Sequence, residues 1–202
     1  MYKWRTPEDG GHAPGLIGPN AILQMLPVIE RLGGQKRVLQ MLARAGIFQI
    51  PDGTEMIPEQ DAARLHRQLR FEEPELAPCL AAEAGRLTAD YILANRIPKP
   101  VQMLLRVLPA RPSAKLLSTA IARHAWTFAG SGRFEVQTPW SFEIIDNPIV
   151  CNDHCPHCIC HWHAAVFAQL YRVLVHPKCT CHETDCLAMG AGHSCKFELR
   201  IA

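Results

Sequence analysis

Between Cys151 and Cys195 the chain reads CNDHCPHCICHWHAAVFAQLYRVLVHPKCTCHETDCLAMGAGHSC, and these forty-five residues hold eight of the nine cysteines and seven of the ten histidines. Packing does not explain such crowding, because a core is built more simply from Leu, Val or Ala. Thiolates and imidazoles are instead the side chains that hold zinc, iron–sulfur clusters and other soft metals. The N-terminus, MYKWRTPEDGGHAPG, is polar and rich in Gly and Pro rather than signal-like, so a cytoplasmic protein is expected. In that reducing compartment clustered cysteines mean metal or redox chemistry more often than structural disulfides.

Zinc takes about four ligands, and the stretch offers more than four. Its sharpest subset is Glu183-x-x-Cys186 followed by Cys195-x-Phe197, with Cys160 upstream at the start of a predicted helix. A helix N-terminus lowers a thiol pKa and favours the thiolate that a metal needs. Met189-Gly190-Ala191-Gly192 supplies a turn flexible enough to bring Cys186 and Cys195 together. A second pattern overlaps the first. Cys151-x3-Cys155-x2-Cys158 has the spacing of the cluster motif in radical S-adenosylmethionine enzymes, but only forty-four residues follow Cys158, too few for their barrel. An iron–sulfur cluster on Cys151, Cys155 and Cys158, with Cys179 or Cys181, stays open as the alternative to zinc. His154, His157, His161 and His163 read as solvated loop or helix faces, and Cys79, alone in a predicted helix, as a small core residue.

The elements that must position these groups are α+β. The 202 residues suit a single domain with a real core. Residues 1–15 read as a flexible arm, 16–129 as a helical part that forms a ligand pocket, and 130–202 as the metal-binding part. A helix begins at Gly18-Pro19-Asn20, is expected to kink at Pro27, and stops at Gly33-Gly34. Further helices follow around Val38–Ala45, Pro58–Leu69, Pro74–Asn95 and Val101–Leu108. In the next helix Leu116, Leu117, Ala120, Ile121 and His124 are placed on the inner face. Two strands, Phe134–Gln137 and Phe142–Ile145, are joined around Pro139. A helix over Trp162–Val175 carries small residues, Ala164, Ala165 and Ala168, that would let it approach a sheet. Two more strands flank His182 and Lys196–Ile201. Helices first, then strands with one embedded helix, is an α+β order rather than a parallel α/β one.

The residues after Gly130 resemble the 4-vinyl reductase domain family. The resemblance rests on the glycine-bearing turn before the first strand, the strand end Asn147-Pro148-Ile149-Val150, Cys160 leading a helix, E-x-x-C, a Gly-rich turn and C-x-F. The opening helix, GLIGPNAILQMLPVIERLGG, is similar as well. In metal-binding members, including sensor domains of phenol-responsive regulators, three cysteines and a glutamate bind zinc; the matching positions are Cys160, Glu183, Cys186 and Cys195. Eight residues separate Cys186 from Cys195, one more than the family pattern. The resemblance further implies the nitric-oxide-signalling and Golgi-transport ligand-binding fold, in which helices and a small antiparallel sheet enclose an apolar pocket, a homodimer, and a place in bacteriochlorophyll biosynthesis.

A formal charge of +2, with Lys and Arg scattered through the helical half, does not suggest a nucleic-acid footprint. No apolar run is long enough for a membrane span. Two functions compete. One is reduction of the C8-vinyl group of a chlorophyllide precursor, for which no strand–GxGxxG–helix nucleotide motif is visible. The other is a carrier or accessory factor that holds a magnesium tetrapyrrole among apolar helices, with His124 available as axial ligand, and presents it to tetrapyrrole biosynthetic enzymes. In the second reading zinc, closed by four protein donors, is structural.

Overall fold

Prolines and glycines punctuate the helical half where their backbone chemistry requires it. The computed structural model describes residues 15–190 and 192–202, so the arm expected at 1–15 falls, but for Gly15, outside the described residues. Helix α1 (Asn20–Leu23) and α2 (Leu26–Arg44) are separated at Gln24 and Met25, and Pro27 lies in the first turn of α2. There its missing N–H is no loss, so it does not kink the helix as expected. The break within α2 is at Gly33 and Gly34, as the sequence indicates, with Gly34 at φ +70°. Short strands β1 (Leu16–Ile17) and β2 (Ile57–Pro58) pair antiparallel, and α3 (Glu59–Glu72), α4 (Ala77–Asn95), α5 (Lys99–Val107), α6 (Ala110–Arg123) and α7 (Trp126–Ala129) follow.

The inner face of α6 is Ser113, Ala114, Leu117, Ser118 and Ile121. Leu116, Ala120 and His124 are exposed, a correction to the placement read from the sequence. His124 is the residue that caps the helix C-terminus, where the chain leaves helical geometry (φ −112°, ψ 13°) and the periodicity that pointed it inward no longer applies.

The second half is a four-stranded antiparallel sheet, order β3-β4-β6-β5, with one helix across it. Its strands are β3 (Arg133–Thr138), β4 (Ser141–Ile145), β5 (Cys179–Asp185) and β6 (Ser194–Ile201), and the helix is α8 (His161–Leu174). Alternation works as expected of a half-buried sheet: Phe142 and Ile144 on β4, and Cys195, Phe197 and Leu199 on β6, are buried. From α8, Phe167 packs edge-on to Phe142 and Phe197 at 5.1 and 5.3 Å between ring centres, and Tyr171 packs on Phe142. Burying such a ring contributes about 2–3 kcal/mol as an upper estimate.

The opposite side of α8 meets α4, and this is where a small residue of that helix is used. A Cβ on Gly85 would lie 2.3 Å from the Trp162 carbonyl oxygen and 2.8 Å from Ala165 Cβ, so only glycine lets the two helices approach this closely. Ala165 therefore serves a helix–helix seam, and large rings cover the sheet. Trp162 Nε1 donates to Thr88 Oγ1 (3.1 Å) across that seam. Thr88 in turn donates to the Ala84 carbonyl, so the buried indole N–H and the hydroxyl are both satisfied. The seam fixes α8 along its length, and with it the position of Cys160 at its start.

Candidate metal centre

Cys160 stands at the N-cap of α8, Glu183 near the end of β5, Cys186 just beyond that strand, and Cys195 on β6. Their donor atoms all lie within 4.8 Å of one another, and no other group of three or more Cys, His, Asp or Glu converges this way among the described residues. Sequence spacing alone does not bring Glu183 and Cys186 to one place, since residues three apart in a strand point to opposite faces. A register shift does. Glu183 pairs with Phe197 but Asp185 with Lys196, so the extra residue Thr184 reverses the alternation. Continued one step, that register sets Cys186 opposite Cys195, and their sulfurs are 3.9 Å apart.

Cys160 Sγ is 3.3 Å from Cys195 Sγ, well beyond a disulfide bond of about 2.05 Å. Three sulfurs around one zinc-sized ion at about 2.3 Å would stand about 3.8 Å apart, so the observed spacing needs only small adjustment. Glu183 Oε2 accepts the Cys160 backbone N–H at 2.7 Å, which satisfies one of the free donors at the helix start. Its other oxygen, Oε1, is buried with no partner. An orphaned carboxylate oxygen beside three sulfurs is the feature a bound cation would satisfy.

The electrostatics agree. Burial pushes the Glu183 carboxyl up to about 8, helped by the negative charge of Cys186. Cys186 is depressed because the Cys160 and Cys195 thiols donate to it. Cys160 is driven well above the ordinary thiol range, first by burial. Cys195 accepts from Cys160 but is raised overall by donating to Cys186 and by burial. The helix start therefore does not make Cys160 the thiolate of the metal-free chain, as the sequence implies; desolvation outweighs it. Four acidic groups packed this closely cannot all ionise without a cation among them.

Asn147 is the residue that sequence reading missed. It is fully buried, and its Nδ2 donates to Cys160 Sγ (3.4 Å) and Cys195 Sγ (3.5 Å), while Oδ1 accepts from Ile149 N–H (3.2 Å). The only sign of it in the sequence is Asn147-Pro148 at the strand end, read there as a terminator. Such outer donors orient thiolate ligands and spread their charge. Arg67 and Arg70 of α3 both reach Asp153, the former at 2.8 Å, and so tether the cysteine-bearing loop that leads to Cys160.

The remaining cysteines do not converge. Cys151 is exposed and its thiol donates to the Pro148 carbonyl. Cys155 contacts the His157 ring at 3.3 Å, and Cys158 lies 3.9 Å from Met189 Sδ. Cys179 and Cys181 sit on β5 away from that loop, opposite Ile201 and Leu199. Burial pushes Cys158 up to about 11 and Cys181 to about 12, so these are protonated thiols. Cys79 is exposed on α4 rather than in the core.

His163 corrects the reading of the surplus histidines. His154 and His157 are exposed and His161 is half-buried, but His163 is 1 % exposed. Its Nε2 donates to the Phe128 carbonyl (3.3 Å), its Nδ1 has no partner, and burial pushes the imidazole down to about 4. It is a neutral ring packed among Phe128, Trp162, Phe167 and Phe197.

Residues 141–201 match the 4-vinyl reductase domain. Over 185 residues, 91% of the chain, the sequence is 51% identical to the Bacteriochlorophyll synthase 23 kDa chain of Cereibacter sphaeroides, of which 89% is covered. The protein of that name from Rhodobacter capsulatus is 43% identical over 91% of this chain and 86% of its own length. The chain belongs to this family. The resemblance carried by E-x-x-C and C-x-F thus extends through the helical half of the 23 kDa family. In three dimensions the chain is similar to H-NOX domains. An unliganded Fe(II) H-NOX protein mutant from K. algicida superposes with a TM-score of 0.54 at 12% identity, covering 92% of this chain and 97% of that one. A second H-NOX structure gives 0.55 at 8% identity, with 92% and 95% covered. At such identities the likeness is one of fold, and it is the nitric-oxide-signalling fold that the sequence implies. The family's role is in bacteriochlorophyll biosynthesis.

Proposed function

We propose that this member of the 23 kDa family is a carrier or accessory factor that binds a magnesium-tetrapyrrole intermediate at the C8-vinyl reduction stage, with a structural zinc. The observation that carries the reading is the closure of the donor set. Cys160, Cys186 and Cys195 are buried, Glu183 has an oxygen buried beside them, and together they fill the four positions zinc takes in structural sites. These residues would hold zinc, which bound there supplies folding free energy and a fixed junction between α8, β5 and β6. No position is left for a substrate, so a direct reductase role finds no support in this site.

Support for a tetrapyrrole ligand comes from the fold. H-NOX structures that superpose with TM-scores of 0.55 and 0.51 are described in terms of heme distortion and porphyrin distortion. The exposed position of His124 removes the basis for naming it as axial ligand. The test is a titration of divinyl protochlorophyllide into purified protein. A shift in pigment absorbance without nicotinamide, and no ethyl product with NADPH alone, is expected. Turnover to the ethyl product with NADPH alone would establish the reductase reading instead.

A further inference from the structure

Helix α5 is built inside out. Its buried residues are Gln102 and Leu105. Helical spacing places Pro100, Met103, Leu104 and Val107 on the opposite side, and Met103, Leu104 and Val107 are 66%, 52% and 79% exposed. A solvated helix keeps charged and polar residues on that side. Here the outermost face is apolar, with Lys99 and Arg106 on its flank and Arg111 just beyond its end.

The charge around it is equally one-sided. From Arg96 to Gly132 there is no Asp or Glu, against six residues of Lys or Arg. Elsewhere arginines are paired: Arg31 with Glu83, Arg37 with Glu72, Arg64 with Asp61, Arg67 with Asp153. Among the described residues, Arg96, Lys99, Arg106, Arg111, Lys115 and Arg123 make no ion pair. The scatter of these cations along the sequence conceals that their counter-charge is missing. A net charge of +2 for the whole chain conceals it too, because the acids are concentrated in other segments.

We propose that α5 and the basic α5–α6 corner dock on the surface of an anionic phospholipid bilayer. Exposed Met, Leu and Val flanked by Lys and Arg is the composition of an interfacial helix, whose apolar side enters the acyl boundary while the cations meet lipid phosphates. At nine residues α5 is too short to cross, and no described helix is long and apolar enough to do so. An acidic protein surface would complement the cations but would leave the apolar outer face without a purpose. Docking would place the chain at the phase in which apolar macrocycles partition.

The test is co-sedimentation of the purified full-length chain with vesicles of phosphatidylglycerol and phosphatidylcholine, against phosphatidylcholine alone. Binding to the anionic vesicles, weakened by salt, and at least about tenfold tighter than to neutral ones is expected. Two double variants separate the contributions: Leu104→Glu with Val107→Glu removes the apolar face, and Lys99→Glu with Arg111→Glu reverses two cations. All four positions are exposed, so circular dichroism should match the parent, and each pair should lower binding at least about tenfold. No sedimentation with either vesicle, equal sedimentation with both, or either double variant binding like the parent overturns the proposal. Binding to soluble polyglutamate without binding to vesicles also overturns it, in favour of an acidic protein partner.

Discussion

Two sets of cysteines share one stretch of sequence and end in different states. Cys160, Cys186 and Cys195 converge on Glu183 from a helix start and two paired strands, while Cys151, Cys155, Cys158, Cys179 and Cys181 stay apart. The second set has the tighter spacing in sequence. What it lacks is a pair of regular elements to bring its sulfurs together. Cys151, Cys155 and Cys158 lie in a loop before α8, and Cys179 and Cys181 lie farther along β5. Proximity in sequence supplies soft donors; the sheet register and the α4–α8 seam make four of them a site.

The largest test of this difference is removal of one thiol from each set. Cys186→Ser should abolish bound metal and lower the melting temperature by on the order of 10–20 °C. Cys155→Ser with Cys158→Ser should leave metal content by elemental analysis unchanged. Equal loss of metal in both would mean that the loop cysteines belong to the centre, and visible absorbance lost with them would point to a cluster.

A smaller effect is expected from the outer donor. Asn147→Leu removes the N–H groups that serve two sulfurs and should cost about 2 kcal/mol and roughly 10- to 100-fold in metal affinity, read by chelator competition. An unchanged affinity would reduce Asn147 to a turn residue.

Acidity should sharpen the contrast further. The Glu183 carboxyl, raised from 4.5 to about 8, binds more protons folded than unfolded between those values, so its contribution to stability falls as pH rises through that window. Chelated protein should therefore be less stable at pH 8 than at pH 6 in urea titrations, and metal should remove the decline. Metal affinity should run the other way, rising with pH up to about 8 as the proton leaves. The smallest effect belongs to the exposed thiols: Cys79→Ser and Cys151→Ser should stay within about 0.5 kcal/mol of the parent.

Much of this is legible in the sequence. The strand pair about Pro139, the helix after Cys160 and the four donors all carry local signals: alternation, 3.6-residue spacing and ligand residue types. Less legible are the groups whose role depends on distant neighbours. Nothing adjacent to His163 marks it as buried, because its environment comes from Phe128 and Phe197. Asn147 looks like any Asn before Pro until Cys160 and Cys195 arrive beside its amide. His124 misleads for the opposite reason: helical periodicity does not carry one residue past the helix end.

By itself the sequence determined the supply of soft donors, the α+β order, the breaks at Gly33-Gly34 and Pro139, and the acid-free cationic segment, because these depend on residue type and local backbone preference. Tertiary structure decided which donors meet. Thr184 reverses the strand alternation so that Glu183 and Cys186 reach one side, and Gly85 lets α8 settle close enough to set Cys160 over β6. Both are consequences of pairing and close packing between segments far apart in the chain, where a shift of one residue or one methyl group changes which side chains face each other.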